Sequence, residues 1–234
     1  MTAPRPRLAL LDASHGAEHT RRNFRRELAA DLVEYDVTER QLPADDDVDG
    51  VVVTGSKASV YWEEPWIEEL VDWTGEAVER GLPVLGVCFG HQVVAEALGG
   101  RVEGMDEYEI GYREVTHTGD SRLFDGVDET FTAFTTHQDR VVELPPGARP
   151  IAENDYGNHG FERGDVFTVQ FHPEYDLETA REVASGKPLP DEKMARVMDG
   201  ITEANYAAAC EVKALFDNFV AHVEETRADR APTD

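Results

Sequence analysis

One cysteine in this chain has the sequence context of a nucleophile. Cys88 follows the apolar run 83–87 and precedes a predicted helix, and Gly86 and Gly90 lie two residues away on either side. Glycines at these positions allow a sharp turn between a strand and a helix, which presents the central side chain at the edge of a sheet. The N–H groups at the start of the helix favour the thiolate, the reactive form of cysteine. We therefore interpret Cys88 as a nucleophile; the alternative is a buried, unreactive thiol.

A cysteine nucleophile needs a base, and the base needs an acceptor that orients it. His172 closes the apolar run 167–171 and is followed by Pro173 and Glu174. Proline biases the preceding residue towards an extended conformation, in which residues two apart point the same way. We expect His172 and Glu174 to lie side by side at the carboxyl end of a strand, near Cys88. The alternative is an exposed histidine and a solvated glutamate in a loop.

The second cysteine, Cys210, lies between Ala209 and Glu211 in a predicted helix, and we expect it to be structural. Two cysteines are too few for a disulfide framework, and no apolar signal-peptide core stands near the N-terminus. The longest apolar stretches are too short to span a bilayer. We therefore expect a cytoplasmic, reducing location.

The alternation of apolar and amphipathic segments predicts the scaffold that positions these residues. Short apolar runs alternate with helical stretches up to residue 100, which indicates a parallel sheet covered on both faces. Beyond residue 100, β-rich segments joined by Gly, Pro and Asp predict antiparallel additions. The predicted strands are 7–12, 32–37, 49–55, 83–87, 109–116, 130–136, 149–153 and 167–171. The predicted helices are 17–30, 65–80, one that ends at 99–100, and a long one at 191–225.

The C-terminal part of the chain is expected to be a helical extension, about 190–225, that docks on the body. Its apolar positions recur every three or four residues, which is typical of a helix with one buried face. These positions are Ala208, Val212, Leu215, Phe216 and Phe219. We expect the tail from residue 226 onward to be frayed.

The charge of the chain excludes several classes of partner. There are 48 acidic residues against 22 Lys and Arg, a net charge of −26, and only four of those 22 are Lys. Such a surface repels phosphate backbones and anionic lipids, and no basic patch offsets it, so we expect no nucleic-acid or membrane partner. Acid excess with little Lys favours a salt-rich cytoplasm, where screening weakens self-repulsion. The alternative is an ordinary acidic cytosolic protein.

Together, residues 86–92 (GVCFGHQ) and 171–174 (FHPE) resemble the class I, or triad, glutamine amidotransferases. The chain is most similar to stand-alone relatives of the GMP synthase glutaminase domain. The resemblance covers about residues 5–180, including 53–61, 65–66, 109–111 and 137–141. It implies an α/β fold, a flavodoxin-like three-layer sandwich with a central, mostly parallel sheet, helices on both faces and an antiparallel β addition. It also implies that residues 1–234 form a single domain of this family.

The resemblance also implies a reaction. Cys88 would attack the side-chain amide carbonyl of glutamine and form a γ-glutamyl thioester and ammonia, and water would then release glutamate. His172 would shuttle the proton and Glu174 would orient His172. No cofactor and no metal are expected.

The resemblance assigns further residues to the transition state and the substrate. Backbone N–H groups at Gly55, Ser56 and Phe89 would form the oxyanion hole. Gly55 also suits this role by itself, because a strand ending in Thr-Gly-Ser frees backbone donors where the turn begins. Gln92, four residues after the nucleophile and on the same helical face, would bind the α-amino-acid end of glutamine. Further backbone contacts would come from Thr136, His137 and Gln138.

Two segments depart from the family's usual pattern. Residues 55–57 read Gly-Ser-Lys where synthase-fused members commonly have Gly-Gly-Pro, and 136–139 read Thr-His-Gln-Asp where Ser-His-Gly-Asp is frequent. These differences bear on the assignment to GMP synthesis rather than on the chemistry. His137 and Asp139 are expected to cap a turn; the alternative is a second base pair. The aromatic residues of 60–66 fit either a partner interface or lid, or a helix-capping core cluster.

Three hypotheses about function remain at this point. The leading one is a glutaminase that releases ammonia or delivers it to a separate ATP-dependent synthetase, because no phosphate-binding glycine loop is present. The second is a γ-glutamyl peptidase or hydrolase with the same Cys-His-Glu triad, and it requires a pocket that stays open beyond the amide nitrogen. The third is a non-catalytic regulatory homologue, which the presence of all three triad residues disfavours.

Overall fold

The computed structural model describes residues 4–44 and 47–230. Nine strands form one sheet: β1 (Arg7–Asp12), β2 (Asp31–Asp36), β3 (Gly50–Val53), β4 (Val84–Val87), β5 (Arg101–His117), β6 (Thr130–Glu143), β7 (Arg149–Asn154), β8 (Gly157–Arg163) and β9 (Val166–Val169). The α-helices are α1 (Glu18–Glu27), α2 (Pro65–Glu79), α3 (Phe89–Ala97), α4 (Leu177–Ser185), α5 (Asp191–Gly200), α6 (Glu203–Ala209) and α7 (Ala214–Arg230).

The strand order is β2-β1-β3-β4-β9-β8-β7-β5-β6. The first five strands in this order are parallel, and the remaining neighbours pair antiparallel. The parallel half has the flavodoxin-like order, in which ligands bind at the carboxyl ends of the strands. The predicted α/β sandwich with a mostly parallel centre and an antiparallel addition is confirmed.

The parallel strands are apolar on both faces because each face is covered by helices. Leu8 and Leu10 point into one core with α1 and α7, whereas Ala9 and Leu11 point into the other with α2 and α3. A third apolar cluster lies where α4 and α5 pack near β5 and β6, around Ile110. The strands of the parallel half are therefore held from both sides, which fixes the edge where they end.

The antiparallel half extends further than the sequence predicts. Strand β8 was not predicted, and its sequence, Gly-Asn-His-Gly-Phe-Glu-Arg, lacks the alternation of a half-buried strand. It forms because β7 and β9 pair with it on both sides. Strands β5 and β6 continue to Arg101 and Glu143, beyond the predicted 109–116 and 130–136.

The prediction of one long helix at 191–225 is wrong, because the structure has three helices there, α5, α6 and α7. Gly200 ends α5, and the Thr202 side chain caps α6 by accepting from Asn205 N at 3.2 Å. A hydroxyl at the N-cap satisfies a donor that would otherwise lack a partner. Cys210 lies half-exposed at the end of α6 and not within a helix.

The division changes which C-terminal residues are buried. Four of the predicted docking residues are buried as expected: Val212, Leu215, Phe216 and Phe219. Ala208 is exposed, and its neighbour Ala209 is buried instead.

Helix α7 continues to Arg230, so residues 226–230 are helical rather than frayed. The rest of the predicted tail, 231–234, lies outside the described residues. In the described part of the chain, no helix has the length and apolar character needed to cross a bilayer.

A tight backbone contact positions the turn between β4 and α3. Cys88 occupies this turn with φ 54° and ψ −102°, a conformation that strains residues with a side chain. A Cβ on Gly86 would lie 2.5 Å from Gly90 O, and a Cβ on Gly90 would lie 2.2 Å from Val53 O. Glycine is therefore required at both positions, as the turn geometry predicts. The Gly90 N–H also donates to Thr54 O at 3.1 Å, which ties α3 to the end of β3.

We predict that Gly90→Ala lowers the free energy of unfolding by about 3 kcal/mol, because the added methyl overlaps the Val53 carbonyl and displaces α3. Chemical denaturation followed by circular dichroism measures this. The matched control is Gly75→Ala in α2, whose added Cβ meets Ala97 O at an ordinary 3.5 Å. We expect that control to be neutral or slightly stabilising. Equal stability of the two variants would show that the contact does not position the turn.

Candidate active site

The predicted nucleophile and base come together where three parallel strands end. Cys88 follows β4, and its N–H donates to Val169 O of β9 at 2.8 Å. His172 follows β9, and its N–H donates to Phe134 O at 2.8 Å. Gly55 follows β3, where a Cβ would lie 2.8 Å from His172 Cε1 and 3.6 Å from Cys88 Cβ. The absence of a side chain at Gly55 therefore leaves room for the imidazole beside the cysteine.

The imidazole of His172 is held by a buried carboxylate. His172 Nδ1 lies 2.8 Å from Glu174 Oε1, and both side chains are almost fully buried. Glu174 Oε2 has no hydrogen-bond donor among the described residues. The ring of Tyr175 stacks on His172 at a centroid distance of 4.2 Å. The carboxylate and the stacked ring together fix the orientation of the imidazole.

The neighbouring charges favour the protonated form of His172. Burial lowers the pKa of His172, but the adjacent Cys88 and Glu174 outweigh burial and raise that pKa to about 10. The imidazole of His172 can therefore hold a proton at neutral pH, beside the side chain of Cys88.

Backbone donors surround the position where an oxyanion would form. Among the described residues, no acceptor pairs with the N–H groups of Gly55 and Ser56. Phe89 is the first residue of α3, so no preceding helical turn accepts from its N–H. Thr54 holds this segment in place, since its N–H donates to Leu11 O at 3.1 Å. The segment can therefore present unpaired donors near Cys88.

A cavity of about 230 Å³ opens beside Cys88 and collects most of the predicted site residues. Its lining includes Ser56, Cys88, Phe89, Gln92, Thr136, His137 and Gln138. An adjoining cavity is lined by Gly55, His172 and Glu174, together with Ser56 and Thr136. All ten predicted site residues therefore lie around these two adjoining cavities.

The side chain of Gln92 is buried and oriented by the protein. Its Nε2 donates to Asp139 O at 3.3 Å and to Gln170 Oε1 at 3.2 Å. No hydrogen bond pairs Gln92 Oε1 with another described residue. That oxygen can therefore accept from a ligand in the cavity.

The predicted site residue His137 belongs to a buried cluster, whose other members, Glu109 and His159, are not among the predicted site residues. Glu109 Oε2 lies 2.6 Å from His137 Nε2 and 3.1 Å from His159 Nε2, and Glu109 Oε1 accepts from Asn154 Nδ2 at 2.7 Å. His137 Nδ1 lies 2.9 Å from Asp139 O. Both nitrogens of His137 therefore lie within hydrogen-bond distance of an oxygen atom, which holds the ring in one orientation. The cluster thus fixes the strand that carries Thr136 and His137.

The structure corrects the prediction that His137 and Asp139 cap a turn. Both residues lie within β6, where His137 belongs to the buried cluster. Asp139 accepts from Ser59 Oγ at 2.6 Å and from Tyr61 OH at 2.7 Å. Asp139 therefore ties the loop after β3 to β6 across the cavity. Glu109 and Tyr61 lie in segments that carry the family resemblance. Their hydrogen-bond partners are distant in the chain, so the sequence alone does not indicate these pairs.

The same cluster is the group of described residues that could hold a metal ion. Glu109, His137 and His159 each offer one ligand atom, and these atoms lie within 4.8 Å of one another. Imidazole and carboxylate suit Zn²⁺ or Fe²⁺. The hydrogen bonds already account for the Glu109 carboxylate, so we assign the cluster a structural role, and the expectation of no metal stays a prediction.

The aromatic residues near the oxyanion loop divide into two groups. Trp66 is buried and packs on Phe89 with ring centroids 5.7 Å apart, as a core residue does. Tyr61 and Trp62 are half-exposed, and Trp62 also lines the cavity beside Cys88. The core-cluster interpretation therefore holds for Trp66, and a partner interface or lid stays a prediction for Tyr61 and Trp62.

We predict that Glu109→Gln lowers the free energy of unfolding at pH 7 by about 3 kcal/mol, because it weakens the buried hydrogen bonds that His137, His159 and Asn154 make to the carboxylate. Burial raises the pKa of Glu109, but His137 and His159 outweigh burial and hold it below the usual 4.5. A depressed carboxyl pKa stabilises the fold above about pH 4.5, and this stabilisation is lost as the pH falls further. Denaturation at several pH values should therefore show a constant difference above about pH 4.5 that shrinks below it.

The control is Glu114→Gln, an exposed residue of the same strand. We expect it to change stability by less than about 0.5 kcal/mol. A Glu109→Gln protein as stable as this control at pH 7 would contradict the role of the cluster.

Comparison with known proteins agrees with this geometry. The chain matches the family described as glutamine amidotransferase class-I over residues 10–184. The glutamine-hydrolyzing GMP synthase of Azoarcus sp. (strain BH72) is 37% identical over 157 residues, which are 62% of this chain and 29% of that protein. The aligned part thus spans less than a third of that relative.

Solved structures show the same fold. A glutamine amidotransferase from Thermotoga maritima has a TM-score of 0.77 and 22% identity, covering 92% of this chain and 98% of that one. The glutamine amidotransferase from Methylobacillus flagellatus has a TM-score of 0.75 and 22% identity, covering 96% of each chain. Since the family match spans more than half of the sequence, the chain belongs to the class-I glutamine amidotransferase family.

Proposed function

We propose that this protein hydrolyses the side-chain amide of glutamine to glutamate and ammonia through a γ-glutamyl thioester on Cys88. The observation that carries the proposal is the position of Cys88 in a strained turn, next to the buried His172–Glu174 pair and at the wall of a cavity. Strain of this kind is retained where it serves a site.

In the first step, the Cys88 thiolate attacks the γ-carbonyl carbon and an S–C bond forms. The carbonyl oxygen becomes an oxyanion, which the N–H groups of Gly55, Ser56 and Phe89 would stabilise. The C–N bond then breaks, and His172 gives its proton to the leaving nitrogen, so ammonia departs. Glu174 keeps His172 in the orientation for this transfer.

In the second step, water attacks the thioester carbonyl while His172 takes one of its protons. The S–C bond breaks, glutamate leaves, and the thiolate–imidazolium pair is restored. The same imidazole acts as the acid in the first step and as the base in the second. Both transfers use one ring orientation, which the buried Glu174 holds.

The cavity beside Cys88 would bind the amino-acid end of glutamine. Gln92 Oε1 can accept from the substrate ammonium, and the backbone of Thr136, His137 and Gln138 can add polar contacts. Gln138 is exposed at the mouth of this cavity, where the family frequently has glycine.

We further propose that the ammonia acceptor is a separate ATP-dependent synthetase subunit. The relative from Azoarcus is a GMP synthase, and this chain aligns with only 29% of it. Trp62, which lines the cavity, and its neighbour Tyr61 are both half-exposed and suit a docking surface, since aromatic residues are enriched at protein interfaces.

We also propose a cytoplasmic, salt-rich environment. Of the acidic residues that the structure describes, four are buried: Asp12, Glu109, Asp139 and Glu174. The remaining described acidic residues lie at least partly in contact with solvent, where salt screens their repulsion. This charge also disfavours nucleic-acid and membrane partners.

We predict that Cys88→Ala lowers kcat for glutamine hydrolysis by about 10³-fold or more, because the nucleophile is lost. Release of glutamate and ammonia measures this, and thermal unfolding checks that the fold survives. Cys210→Ala is the matched control, and we expect it to keep full activity. Substantial turnover in a folded Cys88→Ala protein would exclude Cys88 as the nucleophile.

A further inference from the structure

The space around the proposed active site is larger than the cavity beside Cys88. A second cavity of about 280 Å³ adjoins the one beside Cys88, and Ser56, Lys57, Thr136 and Lys187 line both. Ammonia needs about the volume of one water molecule, roughly 30 Å³. The second cavity is therefore far larger than the release of ammonia requires.

The chemistry of the first step places the leaving group in this second cavity. His172 must contact the leaving nitrogen in order to protonate it, and His172 and Glu174 line the second cavity. The predicted contacts to the glutamyl part, such as Gln92, line the first cavity instead. A substituent on the departing nitrogen would thus extend past His172, away from the glutamyl side.

The charges at the junction of the two cavities favour an anion. The chain has four lysines, and two of them, Lys57 and Lys187, line both cavities. Neither has a carboxylate within 4.0 Å among residues 4–44 and 47–230, whereas Lys193 pairs with Glu107 and Lys213 with Glu27. Lys187 instead lies over the ring of Tyr108, 5.4 Å from its centroid.

An unpaired lysine is notable in a chain with 48 acidic residues. Two acidic residues line the second cavity: Glu174 pairs with His172, and Glu182 has His19 Nδ1 3.7 Å away. Ala17 and Val183 supply apolar surface to the same cavity. The second cavity thus combines a small apolar surface with two lysines that have no carboxylate partner among the described residues, which fits an amino acid whose carboxylate meets the lysines.

We propose that the second cavity is a leaving-group subsite, and that the protein also cleaves γ-glutamyl amino acids, with Lys57 and Lys187 binding the carboxylate of the departing amino acid. This inference rests on the proposed Cys88 mechanism. Cys88 forms the S–C bond to the γ-carbonyl carbon, the C–N bond breaks, and the amino acid leaves with the proton from His172. Water then releases glutamate, and no oxidant, reductant or further reactant is consumed.

The test compares glutamine, γ-glutamylalanine and γ-glutamylethylamide as substrates of the full chain. The leaving group of γ-glutamylalanine carries the carboxylate that the lysines would bind, whereas that of γ-glutamylethylamide lacks it. We expect γ-glutamylalanine to be cleaved with a higher kcat/KM than γ-glutamylethylamide. In Lys187→Gln we expect the ratio of kcat/KM for γ-glutamylalanine to kcat/KM for glutamine to fall about fivefold, because partly exposed ion pairs contribute little binding energy. In the double variant Lys57→Gln/Lys187→Gln we expect this ratio to fall further.

The matched control is Lys193→Gln, which removes a paired lysine outside both cavities and should leave all three rates unchanged. Hydrolysis of glutamine without cleavage of γ-glutamylalanine would overturn the subsite but not the proposed glutaminase. An equal fall in kcat/KM for all three substrates in the lysine variants would also overturn the subsite, because the lysines would then bind the α-carboxylate of the glutamyl group. Failure to cleave any of the three would contradict the proposed function itself.

Discussion

The site depends on the close contact between the start of α3 and the end of β3. The backbone of Gly90 lies against the Val53 carbonyl, with no room for a Cβ, and this contact holds Cys88 in a strained turn. Gly55 stands at the end of the same strand and leaves space for His172. The proposed nucleophile, the proposed base and unpaired backbone donors are thereby brought to one edge of the sheet, which is where parallel sheets bind ligands.

Four carboxylates are buried in the described part of the chain. Glu174 orients His172, Glu109 holds the strand that forms the cavity wall, Asp139 ties that strand to the loop after β3, and Asp12 accepts from an arginine of α1. Each carboxylate has a specific partner, because an unpaired buried charge is strongly destabilising. The acid excess elsewhere lies in contact with solvent, so the site chemistry and the overall charge of −26 are separate properties of the chain.

Local sequence patterns predict the parallel part of the sheet and the turn that carries Cys88. The glycines around Cys88, the His-Pro-Glu segment and the apolar parallel strands each act within a few residues, so the sequence alone indicates them. The cluster of Glu109, His137 and His159 joins three strands and has no local signal. Strand β8 forms through pairing on both sides rather than through its own sequence, and the second cavity arises from loops far apart in the chain.

The central claim is that Cys88 is the acylated nucleophile of a site that recognises the glutamyl group. The most direct test is covalent labelling with a glutamine analogue that carries a chloroketone in place of the amide, followed by peptide mapping by mass spectrometry. The account predicts one adduct, on Cys88, whose formation is slowed by glutamine and abolished in Cys88→Ala. An adduct on Cys210 alone, or labelling of Cys88 that glutamine does not slow, would contradict it.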